Sequence, residues 1–145
     1  MNLQDILVMW ERDADIDDNH LDRASLETPK LHSKYLQILI EAKSRRIKTD
    51  MEYNVLRKTK FRYYRGELSR DELKNLGWEQ WQYAKPLKAE MEEILGGDED
   101  LAKIKTRLDY IDTMVYALEQ IMNQIKARDW SIKNSIQWKM FIAGN

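Results

Sequence analysis

The sequence contains no cysteine, and glycine, proline and histidine are scarce, with five, two and two residues among 145. Without cysteine neither a disulfide framework nor a thiolate metal site can form, and the absence fits a reducing cytoplasm. So few glycines and prolines argue against a turn-rich β fold. Residues 1–18 lack a basic region, and no apolar run approaches the roughly 18 residues that a membrane span needs. We therefore expect neither a signal peptide nor a transmembrane segment.

Residue patterns typical of catalytic sites are also missing. The pair Gly96-Gly97 lies among acids and lacks the Lys-Ser/Thr that completes a phosphate-binding loop. No serine lies in the strand–turn–helix context of a nucleophile elbow. His20 follows Asp17-Asp18-Asn19, but a capped helix start with solvated carboxylates explains this cluster better than a metal site does. The sequence therefore predicts a protein that is not an enzyme and that has no cofactor and no metal.

Charged residues make up 34% of the chain and hydrophobic residues 43%, a balance that favours long helices with exposed faces. Thr28-Pro29 is a typical helix start, and no glycine or proline follows before Gly66. A helix over residues 29–65 would be roughly 55 Å long, at about 1.5 Å per residue. We expect an all-α fold, with long helices in an elongated protomer that forms a single domain over residues 1–145.

The net charge of −1 hides two segments of opposite sign. Residues 1–28 hold eight acids against two arginines, a balance of −6, and residues 43–65 hold nine bases against two acids, a balance of +7. Such asymmetry predicts a polyanionic partner for the basic segment. The alternative is that two solvated faces neutralise each other within or between subunits, and charge alone does not decide between them.

The C-terminal segment, residues 98–143, has the most regular apolar spacing in the chain. Its apolar residues recur at intervals of three and four, as in a left-handed supercoil. This row consists of Leu101, Ile104, Leu108, Ile111, Val115, Leu118, Met122 and Ile125, and resumes at Ile132 and Ile136. A second row beside it consists of Tyr110, Met114, Ala117 and Ile121. Because two adjacent rows need more than one partner, we predict that the helix packs against its copies in an oligomer larger than a dimer. The alternative is an intramolecular bundle with residues 3–10 and 31–40.

The segment of residues 57–65 interleaves five bases with three aromatic residues. Proteins that bind single strands use cations for the phosphates and flat rings on which unpaired bases stack. The candidate DNA-binding residues are Arg57, Lys58, Lys60, Arg62, Tyr63, Tyr64 and Arg65. Trp78, Trp81 and Tyr83 follow closely and could extend the same surface. The alternative is that Phe61 and Tyr64 pack in a core while the bases only solubilise the helix.

Three stretches of the sequence resemble the UvsY-type recombination mediator proteins of tailed phages. They are Lys58-Thr59-Lys60 leading into Tyr63-Tyr64-Arg65-Gly66, then Leu108-Asp109-Tyr110, and finally residues 125–133 with the ending Phe141-Ile142-Ala143-Gly144. The resemblance covers essentially the whole chain, although residues 66–83 depart from the pattern. It implies an all-helical fold assembled into a ring, which is a heptamer in the family.

The resemblance also implies a function. The chain would bind single-stranded DNA and help to load a RecA-like recombinase onto DNA covered by single-strand DNA-binding protein, in the cytoplasm of the infected host cell. The family's DNA-contacting basic pair corresponds to Lys58 and Lys60, where lysine at the second position keeps the charge but loses the guanidinium fork. The competing hypothesis is a coiled-coil scaffold that binds only proteins, with its basic stretch against the acidic N-terminus of a neighbour.

Overall fold

The computed structural model describes residues 1–144, which form five α-helices and no strand. The last residue of the predicted domain, Asn145, lies outside the described residues. The helices are α1 (Leu3–Asp13), α2 (Leu21–Tyr64), α3 (Arg70–Leu76), α4 (Lys88–Gly96) and α5 (Glu99–Ile142). The prediction of an all-α fold with two long helices is therefore confirmed. None of these helices is long and apolar enough to cross a membrane, as judged over residues 1–144.

The predicted start of the long basic helix is wrong, because α2 begins at Leu21 and Pro29 lies inside it. Thr28 is not an N-cap, since its hydroxyl donates to the carbonyl of Ala24 at 3.3 Å. Proline within a helix removes one backbone hydrogen bond. Tertiary packing outweighs that loss: Ala24 is buried, and its carbonyl also accepts from Arg128 of α5 at 3.4 Å.

The chain forms two compact units, of which unit 1 comprises residues 1–44 and residues from 112 onward. Its core joins the apolar faces of α1, α2 and α5. The buried residues are Ile6, Tyr35, Leu39, Ala42, Met114, Leu118, Ile121, Met122 and Ile125. Tyr35 is fully buried, and its hydroxyl donates to Asp13 at 2.9 Å. Burial together with this bond to a carboxylate raises the pKa of Tyr35.

The predicted oligomerisation row of α5 is largely packed inside the protomer. Of its ten members only Ile136 is exposed, with 42% of its surface accessible, and Ile104 and Val115 are half-buried. The other seven are buried: Leu101, Leu108, Ile111, Leu118, Met122, Ile125 and Ile132. The middle part of this row is covered by α1 and α2 within the chain, and its role in contacts between subunits stays a prediction. In unit 1 the row is part of an intramolecular bundle with α1 and α2, which was the alternative interpretation.

Unit 2 is Arg45–Ile111. It holds the second half of α2, the short helices α3 and α4, and the beginning of α5. The core buries Tyr64, Met91, Leu95 and Leu101, with Tyr53, Leu56, Tyr63, Trp81 and Ile94 packed around them. Every residue of the candidate DNA-binding segment belongs to this unit.

Candidate nucleic-acid interface

The predicted DNA-binding residues occupy the last two turns of α2 and Arg65 just beyond it. A helix turns by about 100° per residue, so neighbours in sequence point to different sides. Lys60 and Tyr64, four residues apart, are buried on the side that faces the unit 2 core, whereas Lys58 is exposed. The structure therefore does not gather all seven residues on one surface.

Lys60 lies in a polar cluster beneath the helix surface. Its residue is only 6% exposed, and its Nζ lies 3.1 Å from Asp98 and 2.7 Å from Asp100. The same Nζ lies 4.2 Å from the centre of the Trp78 ring, which is a cation–π distance. Burial lowers the pKa of Lys60, but the two carboxylates outweigh that effect and raise the pKa above its ordinary value. Lys60 is thus a charged side chain whose charge is already compensated.

Asp98 connects this cluster to the start of α5. It accepts a hydrogen bond from the Tyr64 hydroxyl at 2.6 Å and one from the backbone N–H of Leu101 at 3.0 Å. Burial raises the pKa of Asp98, but these bonds and Lys60 outweigh it, so the pKa lies below its ordinary value. The cluster holds the end of α2 against the first turn of α5, and Asp98 is the helix cap that its position before Glu99 suggests.

The three arginines of the segment are also paired with acids. Arg57 donates to both oxygens of Glu92, at 3.0 and 3.2 Å, and Arg62 donates to both oxygens of Glu72, at 3.1 and 3.3 Å. Arg65 lies 2.8 Å from Glu67. The hydrogen bond from Arg62 lowers the pKa of Glu72. These pairs lie at or near the surface, where ion pairs are weak.

Lys58 is the only base of the segment without an ion pair among the described residues, and it is exposed. It therefore presents a full charge to solvent. Within the segment, Lys58 is the cation best placed to contact a phosphate without prior rearrangement.

An aromatic cluster covers one side of the helix end. Tyr63 packs edge-on against Trp78 with ring centres 5.2 Å apart, and Trp81 packs against Tyr64 at 4.7 Å. Tyr83 follows Trp81 at 4.8 Å and is 76% exposed. The sequence placed these rings near the basic segment but did not indicate that Trp78 lies over the ammonium group of Lys60. That contact depends on the loop after α3 folding back onto α2.

The acidic stretch around His20 does not form a metal centre. Asp17 accepts from the backbone N–H of Asn19 at 3.0 Å and lies 2.7 Å from His20 Nδ1. No group of three or more His, Asp or Glu side chains in residues 1–144 is arranged to hold a metal ion.

A helical protomer with a cationic, ring-bearing helix end has the features of proteins that bind flexible polyanions. The chain belongs to the family described as recombination, repair and ssDNA binding protein UvsY, whose model matches residues 9–145.

Similarity in sequence and similarity in structure both agree with this membership. The chain is 26% identical, over 144 residues and 99% of each chain, to the recombination protein uvsY of Enterobacteria phage T4. Two crystal structures of the bacteriophage T4 recombination mediator protein UvsY are similar to it, each with 26% identity. The match to the first has a TM-score of 0.84 and covers 99% of this chain and 98% of the T4 chain. The match to the second has a TM-score of 0.83 and covers 97% of this chain and 99% of the T4 chain.

Proposed function

We propose that this chain is a recombination mediator that binds single-stranded DNA and is not an enzyme. In this proposal it helps to load a RecA-like recombinase onto DNA covered by single-strand DNA-binding protein, in the cytoplasm of the infected host cell. The observation that carries the proposal is the match of residues 9–145 to a family described by single-strand binding and recombination. The cationic and aromatic end of α2 supplies the chemistry that such binding needs.

The seven candidate residues contribute in two ways. Lys58 contacts a phosphate directly, and the arginines do so when a phosphate replaces Glu72, Glu92 or Glu67. Tyr63, which is half-buried, presents part of its ring. Lys60 and Tyr64 contribute indirectly, because their contacts with Asp98 hold the end of α2 in place.

Assembly into a ring of copies, a heptamer as in the family, is part of the proposal. The last turns of α5 leave an apolar surface uncovered: Ile136, Trp138, Phe141 and Ile142 are 42, 62, 70 and 65% exposed. So many exposed large apolar residues on one helix end are typical of a contact surface. A ring repeats one modest DNA site many times, and multivalency then raises the apparent affinity by orders of magnitude.

A protein-only scaffold is the second candidate, and one observation favours it. Four of the five bases in residues 57–65 already have acid partners within unit 2, so much of the positive charge is compensated. The scaffold predicts no DNA binding at moderate salt.

Mass photometry of the purified chain, with and without a labelled single-stranded oligonucleotide, tests the proposal. We expect one oligomeric species that gains the mass of the strand. A monomer that ignores the oligonucleotide at low ionic strength would contradict both the assembly and the DNA-binding parts.

A further inference from the structure

The end of α2 and the start of α4 form a groove, and the basic segment of residues 57–65 supplies only one side of it. The groove has a volume of about 520 Å³ and lies entirely within unit 2, a size typical of small-ligand sites. Phe61 contributes from α2 and Arg65 from the position just after it, residues 85–87 contribute from the loop before α4, and Lys88, Met91 and Glu92 contribute from α4 itself. Residues about twenty positions apart in sequence thus share one surface.

The floor of this groove is apolar and suits a flat ring. Phe61, Pro86, Leu87 and Met91 line it. Phe61 is 36% exposed, and the guanidinium carbon of Arg65 lies 5.4 Å from the centre of its ring. Unpaired bases stack both on aromatic rings and on guanidinium planes, so Phe61 and Arg65 together offer a stacking platform.

The rim of the groove carries positive charge that is not paired with an acid in the described part of the chain. Lys85 and Lys88 line the groove, are exposed, and form no ion pair with any residue in the described range of 1–144. The groove's one carboxylate, Glu92, is held by Arg57. This arrangement differs from residues 57–65, where acids compensate most of the bases.

A second cavity nearby shows why the first is the better candidate. It has a volume of about 440 Å³, and its aromatic lining consists of Tyr63, Tyr64, Trp78 and Trp81. Its charged lining consists of Lys60 with Glu79, Asp98, Glu99 and Asp100. Four carboxylates around one lysine repel a phosphate backbone, whereas the groove at Phe61 attracts one.

We propose that this groove binds one unpaired base of single-stranded DNA, which stacks against Phe61 and Arg65 while Lys85 and Lys88 contact the flanking phosphates. The inference rests on the proposed function, and extends the DNA-contacting surface from residues 57–65 to the start of α4.

The test uses the full chain and two labelled probes of equal length, an oligothymidylate and an abasic deoxyribose-phosphate oligomer. Fluorescence anisotropy gives the affinity of each at several salt concentrations. Phe61→Leu keeps an apolar side chain but removes the ring. Lys85→Gln with Lys88→Gln removes the two cations, and Lys74→Gln with Lys103→Gln is the matched control, since these exposed lysines of unit 2 do not line the groove.

We expect Phe61→Leu to weaken oligothymidylate binding by about tenfold, a typical loss for one stacked base, and to leave abasic binding unchanged. The double substitution at Lys85 and Lys88 should lower the log–log salt slope by about 1.4 for both probes, at about 0.7 per phosphate contact, while the control keeps the wild-type slope. If the wild-type chain binds DNA but none of these variants differs from it, the proposal that the groove binds a base is wrong and the proposed function stands. If the wild-type chain binds neither probe, both are wrong.

Discussion

At the scale of single residues, neighbouring lysines of the same basic segment have opposite environments. Lys58 is exposed and unpaired, whereas Lys60 is buried between two carboxylates and a tryptophan ring. A sequence pattern treats both as equivalent cations. We propose a phosphate contact for Lys58, whereas Lys60 holds the end of the helix in place through its carboxylate partners.

Separate substitutions of the two lysines should therefore give different results. We expect Lys58→Ala to leave the free energy of unfolding within about 0.5 kcal/mol of wild type and to lower the salt slope of DNA binding by about 0.7. Lys60→Met should cost about 2 kcal/mol of stability, because it leaves the buried carboxylate of Asp98 without its cation. Urea denaturation and salt titrations of DNA binding measure the two effects, and equal stability losses would contradict the assignment.

The low pKa of Asp98 predicts a specific acid sensitivity. Because its pKa in the folded chain lies below the ordinary value of 3.8, its stabilising contribution is complete above that value and is lost as the pH falls through the folded pKa. The difference in unfolding free energy between wild type and Asp98→Asn should be constant near neutral pH and shrink below about pH 4. Urea denaturation across pH measures it, and a Leu101→Ala variant, which removes no titrating group, should show a constant difference.

At the scale of elements, α2 shows how packing overrides a local signal. Pro29 would ordinarily begin a helix, yet the helix starts at Leu21 because Ala24 is buried and its carbonyl accepts from Arg128 of α5. The proline still removes the N–H that would donate to the carbonyl of Ser25. The helix therefore retains a local defect that the tertiary contacts of unit 1 compensate.

Replacing Pro29 by alanine should stabilise the chain. The restored hydrogen bond and the better helix propensity are worth about 1–3 kcal/mol, less about 0.5–1 kcal/mol for the greater freedom of the unfolded chain. Thermal or urea denaturation measures the gain. Pro86→Ala, in the loop before α4, is the control and should be neutral or slightly destabilising, so a similar gain in both variants would contradict this account of Pro29.

At the scale of the whole molecule, we expect stability and the proposed self-association to depend on different parts of α5. Leu118 is fully buried in the unit 1 core, whereas Phe141 is 70% exposed. A charge placed at Leu118 disrupts the fold, whereas a charge placed at Phe141 changes only the contacts of the exposed surface. The two roles can therefore be separated by substitution.

We expect Leu118→Asp to unfold the protomer, with loss of helical circular dichroism, because an unpaired buried charge costs several kcal/mol. Phe141→Asp should keep the helical signal but reduce the mass measured by light scattering. If Phe141→Asp left the mass unchanged, the exposed end of α5 would not be the assembly surface.

The sequence predicted where the site lies but not how its residues are arranged. The density of bases and rings in residues 57–65 predicted a surface for polyanions, and α2 does present Lys58, Arg62 and Tyr63 on or near its surface. The burial of Lys60 and Tyr64 was not predictable, because their partner Asp98 lies more than thirty positions away. The sequence did not indicate Lys85 and Lys88, since a lysine before a proline and another at the start of a short helix are ordinary.

By itself the sequence determined the helical class, the two long helices and the position of the basic segment, because these follow from local spacing, propensity and charge. Only the tertiary structure decided which apolar row of α5 is buried within the protomer, where α2 begins, and which cations remain free. Those outcomes depend on which distant residues meet, and a buried contact between distant residues leaves no trace in local spacing.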